Sequence, residues 1–95
     1  MHIIGNATSI FFRTAFGPEV DLMIERAAGS LVAIECKWKE HPDFSDAAGL
    51  RALEAAEGKR VKEKMIVCRT RAAYKLADGT RVVSVADALK RLAAG

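Results

Sequence analysis

The chain has 95 residues, of which 51% are hydrophobic and 28% are charged. This length is sufficient for one small domain with a modest core, and the composition excludes an intrinsically disordered chain. No apolar run approaches the roughly 18 residues of a membrane span, and the N-terminus lacks the pattern of a signal peptide. We therefore expect a single domain over residues 1–95, cytoplasmic and without a membrane partner.

Charge is distributed unevenly along the chain. Residues 1–57 contain five Lys/Arg and nine Asp/Glu, whereas residues 58–95 contain ten and three. An acidic half and a basic half fit a metal site beside a phosphate-binding surface, although two ordinary solvated faces explain the same asymmetry. Cys36 and Cys68 both lie in apolar stretches, which favours buried, reduced thiols over a disulfide.

The first half of the chain predicts three successive strands. Ser9–Phe16 is rich in aromatic and β-branched residues, and Glu19–Arg26 alternates between apolar and polar side chains. The short segment Ala27–Ser30 contains Gly29 and predicts a hairpin turn. Leu31–Trp38 is a nearly continuous apolar run, which is typical of a central strand covered on both faces.

A helix and a basic connector follow these strands. Ser45 or Asp46 is suited to cap a helix that runs to about Glu57, where Gly58 would end it. The segment Lys59–Lys64 carries four cations in six residues, and we expect it to be a connector.

The remaining segments complete an α/β pattern. Met65–Thr70 predicts a buried strand, and the preceding helical crossover should make it parallel to Leu31–Trp38. Arg81–Val85 predicts a short strand, and Ala86–Ala94 has helical periodicity. The expected fold is therefore a mixed β-sheet with flanking helices.

Two acids and a lysine interrupt the apolar strands. Glu35 and Lys37 are two positions apart and should share one face of their strand. If Arg26 pairs near Leu31 across the hairpin, Asp21 should lie opposite about Cys36, beside Glu35 or Lys37. A bulge or a slip of one residue can adjust the facing side. The hairpin can therefore bring both carboxylates and the ammonium group together.

This set of side chains suits a divalent cation. Two neighbouring carboxylates repel each other unless a positive charge joins them, and Mg²⁺ (or Mn²⁺) prefers such oxygen ligands. The main-chain carbonyl of Cys36 can add a third ligand, and Lys37 can orient an attacking water or offset charge at phosphorus. The alternative is an ordinary ion pair between Lys37 and either Asp21 or Glu35.

These residues resemble the motif of a known nuclease superfamily. Asp21 followed by Glu35-Cys36-Lys37 at the end of an apolar strand looks like the PD-(D/E)xK superfamily, which has the restriction-endonuclease-like fold. More narrowly, the segments "FFRT", "EVDLMIE" and "LVAIECKW" resemble the C-terminal domain that follows the AAA+ module in many prokaryotic ATPases. The chain itself has no phosphate-binding loop of the Gly-x-x-x-x-Gly-Lys-Ser/Thr type.

The resemblance implies a β-β-β-α-β-β-α core and a metal-dependent deoxyribonuclease. Asp21 and Glu35 would bind the metal with the Cys36 carbonyl, Lys37 would be the catalytic lysine, and Glu19 would be an auxiliary acid. The helix and basic connector would face DNA, and phosphate contacts would come from Lys59, Arg60, Lys62, Lys64, Arg69 and Arg71. A solvated surface cluster is the alternative for these cations.

The chain departs from the superfamily pattern at its start. Val20 replaces the proline that gives the motif its name, and only eight residues precede the first predicted strand, where the superfamily usually has a helix. We therefore expect a domain shortened at the N-terminus, with one sheet face covered by a second subunit in a homodimer. Its alternative function is that of a catalytically inactive DNA-binding or self-association module. Small size alone would also fit an accessory component of a toxin or defence system.

Overall fold

The computed structural model of the chain describes residues 2–5, 8–12, 20–26 and 29–94. In this part of the chain, seven strands form one mixed sheet, and two α-helices accompany it. The elements in chain order are β1 (His2–Gly5), β2 (Thr8–Phe12), β3 (Leu22–Arg26), β4 (Leu31–Cys36), α1 (Ala48–Glu57), β5 (Val61–Val67), β6 (Tyr74–Lys75), β7 (Arg81–Val83) and α2 (Val85–Ala94).

The strand order across the sheet is β1-β2-β3-β4-β5-β7-β6. Strands β1 to β4 pair as antiparallel neighbours, β5 lies parallel to β4 after the α1 crossover, and β7 lies parallel to β5. The short strand β6 pairs antiparallel with β7. The predicted mixed α/β sheet is confirmed, and the predicted series of strands and helices gains β1 at its start and β6 before β7.

The two faces of the sheet bury separate apolar clusters. Side chains of β3, β4 and β5 alternate between the clusters because successive residues of a strand point to opposite faces. Leu50 and Leu53 of α1 pack in the first cluster, and Ala88 and Leu92 of α2 pack in the second. The helices therefore pack on opposite faces of the sheet formed by β3, β4 and β5.

Helix α1 begins later than the sequence predicted. A 3₁₀ turn over Phe44–Ala47 precedes it, and the capping residue is Asp43 rather than Ser45 or Asp46. Asp43 accepts a hydrogen bond from the Ser45 backbone, while the Asp46 carboxylate accepts one from the Asp43 backbone. The predicted end of the helix is confirmed, since Gly58 follows Glu57 with φ of 63°.

The prediction that Lys59–Lys64 is a connector is wrong, because β5 begins within this segment at Val61. The charged residues of this strand have partners that the local sequence does not reveal. The Lys64 ammonium is buried and lies 2.9 Å from the Glu54 carboxylate of α1, and Glu63 faces two arginines on the other side. The strand tolerates these charged residues because each is paired with an opposite charge on a neighbouring element.

Two further predictions can be compared with the structure only within the described residues. The predicted first strand is observed as Thr8–Phe12, and its remaining residues 13–16 lie outside the described part, as does Glu19. Neither described helix is long and apolar enough to cross a membrane.

Candidate active site

The hairpin of β3 and β4 brings Asp21 level with Glu35. The observed register pairs Leu22 with Ile34 and Glu25 with Leu31. Leu22 is the first paired residue of β3, and the backbone N–H of Asp21 just before it donates to the Ile34 carbonyl at 3.1 Å. The observed register is shifted by one residue from the predicted one, because Leu31 pairs with Glu25 rather than with Arg26. Glu35 alternates with Leu31 and Ala33, which pack in the first cluster, so Glu35 lies on the α1 side of the sheet.

The Asp21 carboxylate lies at the end of β4. Its Oδ2 atom accepts a hydrogen bond from the Cys36 backbone N–H at 2.8 Å, and the residue is exposed. Desolvation raises the pKa of the Cys36 thiol, and the negative charges of Asp21 and Glu35 raise it further. Both carboxylates therefore lie close enough to Cys36 to act on the same group.

Glu35 and Lys37 form an ion pair on that face. The Lys37 ammonium lies 3.0 Å from Glu35 Oε2, and the side chains are 33% and 4% exposed respectively. A buried carboxylate requires a compensating charge, and Lys37 supplies one from the rim of the sheet. The backbone N–H of Lys37 donates to Val67 of β5 at 3.0 Å, which holds this end of β4 against the parallel strand. We call Asp21, Glu35 and Lys37 the carboxylate site.

The ligand set of this site fits a divalent cation only in part. Within the described residues, no group of three or more His, Cys, Asp or Glu side chains is placed to hold a metal ion. The site offers two carboxylates and the Cys36 carbonyl, all oxygen ligands of the kind Mg²⁺ binds while keeping waters and substrate oxygens. The donor chemistry suits such an ion, with Asp21 at the surface and Glu35 beneath it.

The cations predicted to contact DNA fall at two ends of the sheet. Arg69 and Arg71 are exposed and follow the carboxyl end of β5, on the side of the carboxylate site. The Arg69 backbone N–H donates to the Lys39 carbonyl at 3.1 Å, which joins this loop to the segment after β4. His41 is exposed in that segment and lines a shallow pocket with Arg71. These residues form one surface beside the carboxylate site.

Of the other four predicted cations, three lie at the amino end of β5, and Lys64 lies in the middle of the strand. Seven residues of strand separate the two ends by about 20 Å. Arg60 pairs with Glu25 at 2.7 Å and with Glu57 at 3.5 Å, whereas Lys59 and Lys62 are exposed. Lys64 is buried, with Glu54 and the Asp78 carbonyl as hydrogen-bond acceptors. The predicted basic patch is therefore divided into two separate regions.

A largely apolar pocket adjoins the same end of β4. Its volume is about 340 Å³, and its lining consists of Cys36, Lys37, Trp38, Val67, Cys68 and Val85. The Trp38 side chain is 88% exposed, which excludes core packing for this residue. Both cysteines are free thiols, and the expectation that both are buried holds for Cys68 but not for Cys36.

Two residues near the site escaped the sequence reasoning. Lys39 follows Lys37 on the exposed segment and pairs with Asp46 at 3.0 Å; the repeated Lys-x-Lys spacing was the available signal. The Tyr74 hydroxyl donates to the Pro42 carbonyl at 2.5 Å and so ties β6 to the loop before α1. No local sequence pattern around Tyr74 predicts that contact, since its partner is 32 residues away.

The architecture defines an α/β domain with two acids and a lysine at the carboxyl end of a central strand. Residues 4–88 match the model of a domain of unknown function, DUF4143. The match spans most of the chain, so the protein belongs to the DUF4143 family, a domain known in ATPase-associated proteins. No curated protein and no solved structure matches the chain significantly.

Proposed function

We propose that this domain binds Mg²⁺ or Mn²⁺ and hydrolyses phosphodiester bonds of DNA. The observation that carries the proposal is the placement of Asp21, Glu35 and Lys37 together at the carboxyl end of β4. The resemblance to the PD-(D/E)xK motif supports it, because these residues stand at the motif positions. An acid-x-Lys sequence without Asp21 beside it would be an ordinary strand-end ion pair.

Each group of the site has a distinct task in this proposal. The metal, held by Asp21, Glu35 and the Cys36 carbonyl, would polarise the phosphodiester and acidify a bound water. The Cys36 N–H fixes the Asp21 carboxylate through Oδ2, which orients it without neutralising it. Glu35 holds the Lys37 ammonium at the rim, where a positive charge can stabilise the phosphoryl oxygens as charge develops on them.

The DNA-contacting surface in this proposal is the cationic region beside the site. Arg69 and Arg71 are exposed there, and Lys39 lies on the neighbouring segment with its side chain 49% exposed. Guanidinium and ammonium groups at such positions neutralise backbone phosphates and make binding dependent on salt. Lys59, Arg60 and Lys62 lie at the other end of β5, Lys64 lies in the middle of the strand, and none of the four is part of this surface.

Cleavage of supercoiled plasmid in the presence of Mn²⁺ tests the proposal. Lys37→Ala removes the ammonium and Asp21→Ala removes one metal ligand, so we expect each to lower the rate about 100-fold or more. Lys59→Ala, which removes an exposed cation far from the site, is the matched control and should cleave like the parent chain. Cleavage that persists in both site variants, or that is lost equally in Lys59→Ala, would count against the proposed site.

One observation favours a second function, that of a catalytically inactive module. Glu35 is 3% exposed and already paired with Lys37, as in a purely structural ion pair. On the other sheet face, Trp38, Val85 and Leu89 are 88%, 61% and 63% exposed. Val85 and Leu89 lie one helical turn apart on α2, and Val85 shares the apolar pocket with Trp38. Such a surface suits self-association, and the homodimer belongs to this proposal.

Sedimentation velocity distinguishes the module from a monomeric enzyme. A self-associating domain should sediment as a dimer at micromolar concentration, and Leu89→Ser should shift it to monomer by removing apolar contact area. Ala86→Ser, at another exposed position of α2, serves as the control. If the chain is a monomer at every concentration and cleaves DNA in the presence of metal, the nuclease proposal stands and the homodimer proposal is wrong.

A further inference from the structure

A concave surface at the amino ends of β5 and β7 carries an excess of positive charge. Its volume is about 590 Å³, and three carboxylates line it together with twice as many cations. The six cations are Arg26, Lys62, Lys64, Lys75, Arg81 and Arg91. This end of the sheet lies opposite the carboxylate site, so its charge is independent of Asp21 and Glu35. A concave arrangement concentrates the field of such charges on a bound anion.

Three of these cations converge on the α2 face. Lys75 of β6 stands opposite Arg81 of β7 in the register, so the two side chains share a face. The Glu63 Oε2 atom lies 3.2 Å from Arg81 Nε, and the same oxygen accepts from Arg91 Nη2 at 2.5 Å and from Arg91 Nε at 2.9 Å. One carboxylate oxygen therefore holds two guanidinium groups next to each other. We call Lys75, Arg81 and Arg91 the cationic pocket.

Glu63 leaves much of the donor capacity of this pocket unused. Its contacts engage one nitrogen of Arg81 and two of Arg91, whose side chains are 38% and 37% exposed. Among the described side chains, the two Nη groups of Arg81 have no acceptor, and no carboxylate lies within ion-pair distance of Lys75. A guanidinium group binds an oxyanion through paired N–H donors, and the two Nη groups of Arg81 present such a pair.

The cationic surface continues around the edge strand. A second pocket of about 480 Å³ shares Lys75, Arg81 and Arg91 with the first and adds Lys90 and Tyr74. Asp87 is the acid among the residues that line this second pocket. The two pockets meet at the arginine pair, which gives a bound anion access from both sides.

We propose that Lys75, Arg81 and Arg91 form a binding site for phosphate groups, separate from the carboxylate site. Glu63 positions the two guanidinium groups, and Lys75 adds a further positive charge to a pocket that is already net positive once Glu63 is counted. The phosphate belongs either to a nucleic-acid backbone or to a free di- or triphosphate compound. The site stands on its own residues and does not require the proposed nuclease activity.

Nuclear magnetic resonance titration of the full chain tests this site. The probes are pyrophosphate and a short single-stranded oligodeoxynucleotide, added in EDTA so that no divalent cation bridges them to the carboxylate site. We expect saturable shifts of the Arg81 and Arg91 Nε–Hε resonances and of the Lys75 amide. Lys75→Gln should weaken binding about fivefold, the loss expected for one charge contact at the surface. Lys59→Gln, the matched control, and Asp21→Ala should bind like the parent chain.

The two probes separate the sources of the phosphate. Binding of pyrophosphate would show that a free phosphate compound is sufficient to occupy the site. Binding of the oligonucleotide without binding of pyrophosphate would show that the ligand is a nucleic-acid backbone. The proposal is overturned if neither probe gives saturable shifts at millimolar concentration, or if Lys75→Gln and Lys59→Gln bind equally. Because Lys75 is exposed and lacks an ion pair among the described residues, its substitution should preserve the spectrum of the folded chain.

Discussion

The carboxylate site and the cationic pocket place charge in the same sheet in opposite ways. At the carboxyl end of β4, Glu35 pairs with Lys37, and Asp21 is left at the surface. At the amino ends of β5 and β7, one acid holds two arginines, and the cations remain in excess. In both proposals a paired charge within a strand is an anchor, and the less buried charge beside it would bind the ligand.

Removing the buried partner of an ion pair should have the largest effect on stability. Lys64 is 6% exposed, and its ammonium contacts the Glu54 carboxylate and the Asp78 carbonyl. Lys64→Ala should reduce the free energy of unfolding by about 3 kcal/mol, because it removes buried side-chain volume and leaves polar partners without a donor. Urea denaturation measures the effect, and metal binding at the distant carboxylate site should not change.

Two matched substitutions sharpen this prediction. Lys64→Met retains most of the buried chain and should cost less than Lys64→Ala. Lys62→Ala removes an exposed lysine two residues earlier in the same strand and should cost less than about 0.5 kcal/mol. Equal destabilisation by Lys62→Ala and Lys64→Ala would show that burial does not separate the two positions.

Asp78 should make the cationic end sensitive to acid. Burial raises the pKa of Asp78, but hydrogen bonds from Thr80 and Arg51 and the charge of Lys64 outweigh it, so the pKa lies below its ordinary value. A depressed folded-state pKa stabilises the fold above the unfolded pKa, near 4 for aspartate, and this contribution disappears as pH falls through the folded value. Asp78→Asn should therefore lose about 1.5 kcal/mol at neutral pH.

The pH dependence of that loss is the specific test. Denaturation at several pH values should show the parent chain and Asp78→Asn approaching equal stability once the pH falls below the depressed folded-state pKa of Asp78, where both residues are uncharged. A difference that stays constant from neutral pH to acid would indicate lost packing rather than lost charge.

The smallest expected effect lies at the turn between α1 and β5. Gly58 has φ of 63°, and a Cβ atom added there would meet no other atom within 4 Å. Gly58→Ala should therefore destabilise by about 1 kcal/mol through backbone strain alone. Thermal denaturation measures this destabilisation, and Ala55→Ser, at an exposed position three residues earlier, is the control. A stabilised Gly58→Ala chain would mean that the left-handed turn is not required.

The sequence predicted the carboxylate site better than the cationic pocket for a physical reason. Asp21 and Glu35 belong to one hairpin, so the short turn and the alternation of side chains set their relative positions to within one residue. The shift of one residue in this pairing needed the observed register. The mixed sheet and the end of α1 at Gly58 were likewise predictable from local patterns.

The strand β5 and the pocket beside it depend on residues far apart in the chain. Lys64 is 10 residues from Glu54, and Glu63 is 28 residues from Arg91. A strand that begins with alternating charges looks like a connector until those partners are known. The exposure of Trp38 was also beyond local prediction, because an aromatic residue after an apolar strand suits either a core or a surface.

Isothermal titration calorimetry with Mn²⁺ tests the central claim most directly. We expect one saturable site per chain in the parent protein, and loss of that heat in Asp21→Ala while Lys59→Ala binds normally. The Asp21 variant should keep the fold, because its carboxylate is exposed and accepts a single hydrogen bond from Cys36 among the described contacts. No binding at millimolar Mn²⁺ in the parent chain, or unchanged binding in Asp21→Ala, would contradict the carboxylate site as a metal site.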